Sequence, residues 1–187
     1  MRPLFLIGFM ASGKSTLGRA LAAMLPGRRF IDLDCETEAI LGCSAAEAAD
    51  EGRFEAFRSA ESEALRRVAS CEGAIVSCGG GTPCYHDNMD IMLAAGTVVC
   101  LRASTDRLLK RIAEAPAGSR PLLAGLSGDA LAAKVDELQA ARETAYSRAH
   151  AFFDSSFLDT VEELESSCRR FIAESGLTDN SKPHTEP

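Results

Sequence analysis

The 187 residues include no tryptophan, two tyrosines and three histidines (His86, His150, His184), and the histidines form no visible ligand set. Seven cysteines, at 35, 43, 71, 78, 84, 100 and 168, are odd in number and never spaced as Cys-x-x-Cys. This excludes a disulfide scaffold, a zinc ribbon and a redox pair, and it fits reduced thiols in a cytoplasmic protein. No apolar run approaches the roughly 18 residues of a membrane span. Arg2 followed by Leu4 to Ala11 superficially matches a short signal peptide, but a glycine motif with a better explanation occupies the cleavage region. Positive charge is also in deficit: 20 Lys and Arg face 27 Asp and Glu, a formal charge of −7. The summed field repels polyanions and argues against nucleic acid as a partner, so a phosphate or carboxylate ligand needs a local basic site.

What remains is an ordinary globular composition, 46% hydrophobic and 25% charged, at a length suited to one domain over residues 1–175. Residues 176–187 are polar and read as a disordered tail. Leu4 to Ile7 reads as a strand, Lys14 to Leu25 as a helix and Phe30 to Asp34 as a second strand, followed by helix to Leu41. A longer helix is expected from Ala45 to Ala69, with Phe54, Phe57, Ala64, Leu65 and Val68 on one face. Strand Ala74 to Cys78, helix Asn88 to Ala95 and strand Thr97 to Leu101 continue the alternation. A helix from Thr105 meets the turn-rich stretch Ala115 to Ser119 and resumes from Asp129 to about His150. Phe152 to Asp154 and Val161 to Ala173 supply a last strand and helix. Strands alternating with helices predict an α/β fold, a parallel sheet covered on both faces, with ligands at the carboxyl ends of the strands.

Gly8-Phe9-Met10-Ala11-Ser12-Gly13-Lys14-Ser15 matches G-x-x-x-x-G-K-[ST] between a strand and a helix. Backbone amides of such a loop close around phosphates, Lys14 reaches the β and γ groups, and the Ser15 hydroxyl ligates Mg²⁺. No Asn-Lys-x-Asp of a guanine switch is present, and the chain is short for a motor, so transfer to a small molecule leads. Asp32 and Asp34, two apart on the expected strand, project the same way, one toward Mg²⁺ and one toward an acceptor hydroxyl. An Asp at a strand end also serves as a helix cap.

Gly8 to Thr16, Asp32-x-Asp34, Phe57-Arg58-x-x-Glu61, Gly79-Gly80-Gly81, Arg120-Pro121-Leu122-Leu123 and Arg142-x-x-x-Tyr146 occur in the order seen in shikimate kinases. The chain resembles that family from Leu4 to about Asp154. The resemblance implies a three-layer P-loop kinase fold, a five-stranded parallel sheet flanked by helices with a mobile lid near residues 113–125. It implies ATP and Mg²⁺, shikimate as acceptor, phosphorylation of its 3-hydroxyl, and a cytoplasmic monomer without nucleic-acid or membrane partners. Lys14, Asp34 and Arg120 are the implied catalytic residues, with Arg120 closing over the phosphates. Asp34, Arg58, Gly79, Gly80, Gly81 and Arg142 are the implied acceptor ligands, the two arginines gripping a carboxylate. Ala11, Ser12, Gly13, Lys14, Ser15, Thr16, Arg111 and Arg120 are implied for the nucleotide, and Ser15 and Asp32 for the metal.

Nearby charges Arg107 and Lys110 make Arg111 either a base-stacking residue or part of a solvated helix face. Cys35 and Cys78 are either near the site or buried thiols. The chain departs from the common Gly-Glu-x-x-Phe-Arg register, reading Gly52-Arg53-Phe54-Glu55-Ala56-Phe57-Arg58, and it carries Ala45, Ala48 and Ala49 where larger apolar residues are usual. Two rivals stand beside this expectation: a kinase of another small hydroxy acid such as gluconate, and a non-catalytic nucleotide-binding regulator.

Overall fold

The computed structural model describes residues 1–115 and 121–175. Five strands, β1 (Leu4–Gly8), β2 (Arg29–Asp32), β3 (Ala74–Ser77), β4 (Thr97–Arg102) and β5 (Ala151–Asp154), form one parallel sheet in the order β2-β3-β1-β4-β5. Among the described residues, eight α-helices connect and cover them: α1 (Lys14–Met24), α2 (Leu33–Leu41), α3 (Ala45–Asp50), α4 (Phe54–Ala69), α5 (Asn88–Ala95), α6 (Thr105–Ala113), α7 (Gly128–Tyr146) and α8 (Val161–Ser175).

Alternation along the strands builds two cores. Phe5 and Ile7 of β1, with Val76, Val98 and Cys100, face α4 and α5 through Ala64, Leu65, Val68, Met89 and Met92. Leu4 and Leu6, with Ile75, Val99 and Leu101, face α1 and α8 through Leu17, Leu21, Cys168 and Phe171. Every β1 residue is buried, as a central parallel strand requires. A third cluster, Phe9, Leu108, Leu123 and Val135, packs α6 and α7 beside the loop after β1.

Chain order places the functional segments. The path from β1 through α1 skips one position to reach β2, and β3 returns between them. The loops after β1 and β3 therefore lie side by side at the carboxyl ends, the crevice where ligands enter such sheets.

Two expected elements are corrected. The strand through Asp34 stops at Asp32, because Leu33 turns into the core and opens α2 with Asp32 as its N-cap. Asp34 thus sits in the first helical turn, its amide donating to Asp32 Oδ1 at 3.2 Å. The continuous helix from Ala45 to Ala69 is broken at Glu51–Arg53, where Gly52 takes φ +68°. Ser44 and Glu47 close a capping box that starts α3 separately. Phe54 does not join the core face of α4; it is 43% exposed.

Candidate active site

The loop from Gly8 to Gly13 carries left-handed backbone at Gly8 (φ +134°), Ala11 (φ +61°) and Gly13 (φ +88°). Gly13 caps α1 with no side chain, and the first turn holds no acidic residue. The first amides of α1 are therefore left for an anion. They border a cavity of about 270 Å³ lined by Ala11, Gly13, Lys14, Ser15, Thr16, Asp34, Ser77, Cys78, Gly79 and Gly80. Ser12, expected among the phosphate contacts, is buried and lines a separate pocket behind the loop, where Ser12 Oγ finds no partner among the described residues.

Lys14 is buried, and its Nζ donates to the carbonyl oxygens of Gly8 at 3.0 Å and Phe9 at 2.9 Å. Burial lowers its pKa to about 8, against the pull of Asp34, so the ammonium form still prevails at neutral pH. Ser15 Oγ donates to Asp32 Oδ2 at 3.2 Å and lies 2.9 Å from Ser77 Oγ. Sequence reasoning missed Ser77, since only the placement of β3 beside β1 brings it there.

A second cavity of about 410 Å³ opens from the first. Its polar wall is Asp34, Glu38, Ser44, Arg58, Glu61, Arg142 and the glycines 79–81; its apolar wall includes Ala45, Ala46, Ala49, Phe54, Phe57 and Leu122. Ala48 is not on that wall but buried behind it. Asp34, Gly79 and Gly80 line both cavities, which places Asp34 at the junction. Its carboxyl is reachable from the cleft yet crowded by protein; that desolvation, with the charges of Asp32 and Glu61, raises its pKa to about 6 despite Lys14.

The glycine run lets side chains approach the backbone. A methyl group at Gly79 would fall 2.8 Å from Asp34 Oδ1, at Gly80 3.0 Å from Arg142 Nη1, and at Gly81 3.0 Å from Arg58 Nη2. The two guanidinium groups thus face one backbone segment from α4 and α7. Arg58 Nη1 donates to Glu61 Oε2 at 2.7 Å, and Thr82 Oγ1 donates to Glu61 Oε1 at 2.6 Å, so the buried Glu61 carboxylate is satisfied on both oxygens. Arg142 lies over the Phe9 ring at 5.3 Å. Arg58 Nε and Arg142 Nη1 are buried without partners among the described residues. Tyr146 OH donates to Gly80 O at 2.6 Å and fixes the run.

Residues 10–174 match the family model for shikimate kinase. The chain belongs to the shikimate kinase family. It is 39% identical over 164 residues to the Parabacteroides distasonis shikimate kinase, covering 88% of this chain and 94% of that one. The crystal structure of shikimate kinase from Bacteroides thetaiotaomicron superimposes with a TM-score of 0.87 at 33% identity, covering 94% of this chain and 98% of the other. The Acinetobacter baumannii enzyme, solved in complex with shikimate, shares the fold with a TM-score of 0.79 at 24% identity, over 97% and 96% of the chains. The architecture is thus the α/β fold of the P-loop kinases.

Within this member of the shikimate kinase family, Arg111 departs from the solvated-face reading. Its Nε donates to Asp159 Oδ1 at 2.7 Å, and its Nη atoms donate to Ser155 O at 3.1 Å and Ser156 O at 3.1 Å. It is not on a solvated face; it borders a cavity of about 300 Å³ with Ala11, Gly13, Thr16, Leu158 and Asp159. Asp159, 48 residues away, was invisible as its partner from local sequence. Cys78 lines the phosphate cavity and is buried, while Cys35 is exposed. Arg120, with the rest of lid residues 116–120, and the tail at 176–187 lie outside the described residues.

Proposed function

We propose that this chain transfers the γ-phosphoryl group of ATP to the 3-hydroxyl of shikimate, releasing ADP and shikimate 3-phosphate, in aromatic amino acid biosynthesis. The observation that carries this reading is the junction: a carboxylate, Asp34, stands where a loop built for phosphates opens into a cavity lined by two arginines, Arg58 and Arg142. An acceptor with one carboxylate and several hydroxyls matches that order of groups. Arg58 and Arg142 take the carboxylate through charge-assisted bonds, and Gly80 lies between them and the phosphate loop.

Lys14 and the α1 amides hold the β and γ phosphates in line with the acceptor oxygen. Asp34 accepts a hydrogen bond from the reacting hydroxyl. The acceptor O–P bond forms as the bond from γ-phosphorus to the β,γ-bridging oxygen breaks, and the hydroxyl proton passes to Asp34. A loose transition state asks little of that base, so orientation is its first task. The oxygen cluster of Ser15 and Asp32, with Ser77, fits the hard-donor preference of Mg²⁺. Ser15 and Asp32 would hold the cation, which supplies charge neutralisation on the phosphates. Thr16 and Arg111 border the nucleotide cavity on the far side.

The test is ADP formation from Mg·ATP with no acceptor, with shikimate, with gluconate and with a nucleoside monophosphate. Stimulation by shikimate alone is expected; equal stimulation by gluconate overturns the substrate, and none by any acceptor overturns catalysis. Replacing Arg142 with alanine is expected to raise the KM for shikimate by about 10- to 100-fold, the value of a lost charged hydrogen-bond pair. The KM for ATP should stay within twofold, and equal effects on both would contradict the assignment.

A further inference from the structure

Arg58 is held from more sides than a salt bridge explains. Its guanidinium carbon lies 4.1 Å from the ring centroid of Tyr85, 4.9 Å from that of Phe54 and 5.1 Å from that of Phe57. Phe54 and Tyr85 also meet edge to face at 5.5 Å. Phe54 and Phe57 line the acceptor cavity, whereas Tyr85 does not. The nearest of the three rings is therefore the one outside the cavity wall.

Tyr85 is placed by a turn anchored to the same ion pair. Thr82 opens the short 3₁₀ turn Thr82–Cys84 and donates to Glu61, the partner of Arg58. Asn88 Nδ2 donates to Thr82 O at 2.9 Å, and Asn88 N donates to Tyr85 O at 3.2 Å. Between them His86 adopts φ +48°, a left-handed conformation that a non-glycine residue takes only when its surroundings hold it there. The segment 82–88 thus closes a circuit from Arg58 through Glu61, Thr82 and Tyr85 back to Arg58.

We propose that Tyr85 is a positioning residue: its ring braces the Arg58 guanidinium so that its free donors face the acceptor carboxylate. A planar cation on a flexible stem loses affinity when its fork is not pre-oriented, and a desolvated aromatic face holds it without consuming a donor. The ring leaves Nη2 available on the cavity wall while Glu61 occupies Nη1. The inference rests on the reading of Arg58 as a carboxylate ligand.

The test is steady-state kinetics on Tyr85→Ala, Tyr85→Leu and Tyr85→Phe beside the wild type, each checked by thermal unfolding. Tyr85→Ala and Tyr85→Leu should raise the KM for shikimate by about 5- to 30-fold, the range of a partly desolvated cation–π contact, with kcat and the KM for ATP within twofold. Tyr85→Phe keeps the face and should restore the wild-type KM. Wild-type KM in the leucine variant, or failure of phenylalanine to rescue, overturns the brace. A wild type without shikimate-dependent turnover instead overturns the reading of the cavity itself.

Discussion

Asp34→Asn should lose about 10²-fold in kcat, the usual cost of a misplaced acceptor hydroxyl, and should unfold at a higher temperature than the wild type at pH 7. The two effects have one cause. In the free protein the Asp34 carboxyl is crowded by protein and faces the charges of Asp32 and Glu61, so its pKa rises to about 6 from the ordinary 3.8. The folded state then binds this proton more tightly than the unfolded state. The resulting destabilisation is absent below about pH 3.8, grows between 3.8 and 6 and is fully present at pH 7. Asparagine removes the charge and with it the penalty. Because the carboxyl is reachable from solvent, the gain is discounted to about 1 kcal/mol, or roughly 2–4 °C in a domain of this size. The same titration predicts that wild-type kcat/KM falls tenfold per pH unit below about pH 6, where Asp34 takes up its proton. Thermal unfolding and a pH–rate profile check both halves. A variant of unchanged or lower unfolding temperature would show that the site carboxylate is not under strain in the free protein.

How much of this was legible in the sequence differs by residue. The phosphate loop was, because one local pattern sets both its backbone and its flanking strand and helix. The alternation of strands and helices also showed directly, since parallel strands buried on both faces read as continuous apolar runs. Asp34 was found by spacing but assigned the wrong backbone: Asp32 caps a helix instead of continuing a strand, and strand-end and N-cap aspartates look alike in sequence. The break after α3 was hidden because alanine-rich sequence on both sides favours helix, and only Gly52 signals the stop. Partners supplied by topology left no local trace. Ser77 reaches Ser15 because β3 inserts between β1 and β2, Asp159 reaches Arg111 across 48 residues, and Tyr85 reaches Arg58 through a turn fixed by Glu61. The arginines themselves were named from resemblance; the structure adds that both line the cavity beside Asp34.

Lys14→Met should abolish measurable transfer, lowering kcat by about 10³-fold or more, the scale of removing a cation that neutralises a transferring phosphoryl group. The ammonium is used twice. In the free protein it bonds the carbonyls of Gly8 and Phe9 and holds the loop closed on itself. In the proposed reaction it serves phosphate oxygens, where its charge is needed most as the β,γ-bridging bond breaks. Methionine matches the stem in length but offers neither bond nor charge. The variant should nevertheless unfold at no lower temperature than the wild type without nucleotide. Burial depresses the Lys14 pKa from 10.5 to about 8, so the charged form is disfavoured by folding at neutral pH. That penalty, on the order of 3 kcal/mol, offsets the two lost hydrogen bonds. Mg·ATP should raise the unfolding temperature of the wild type and leave that of the variant nearly unchanged, because stabilisation by a ligand follows its affinity for the folded state. A variant that keeps the full nucleotide-induced shift would mean that the α1 amides alone bind the phosphates, confining Lys14 to the transfer step.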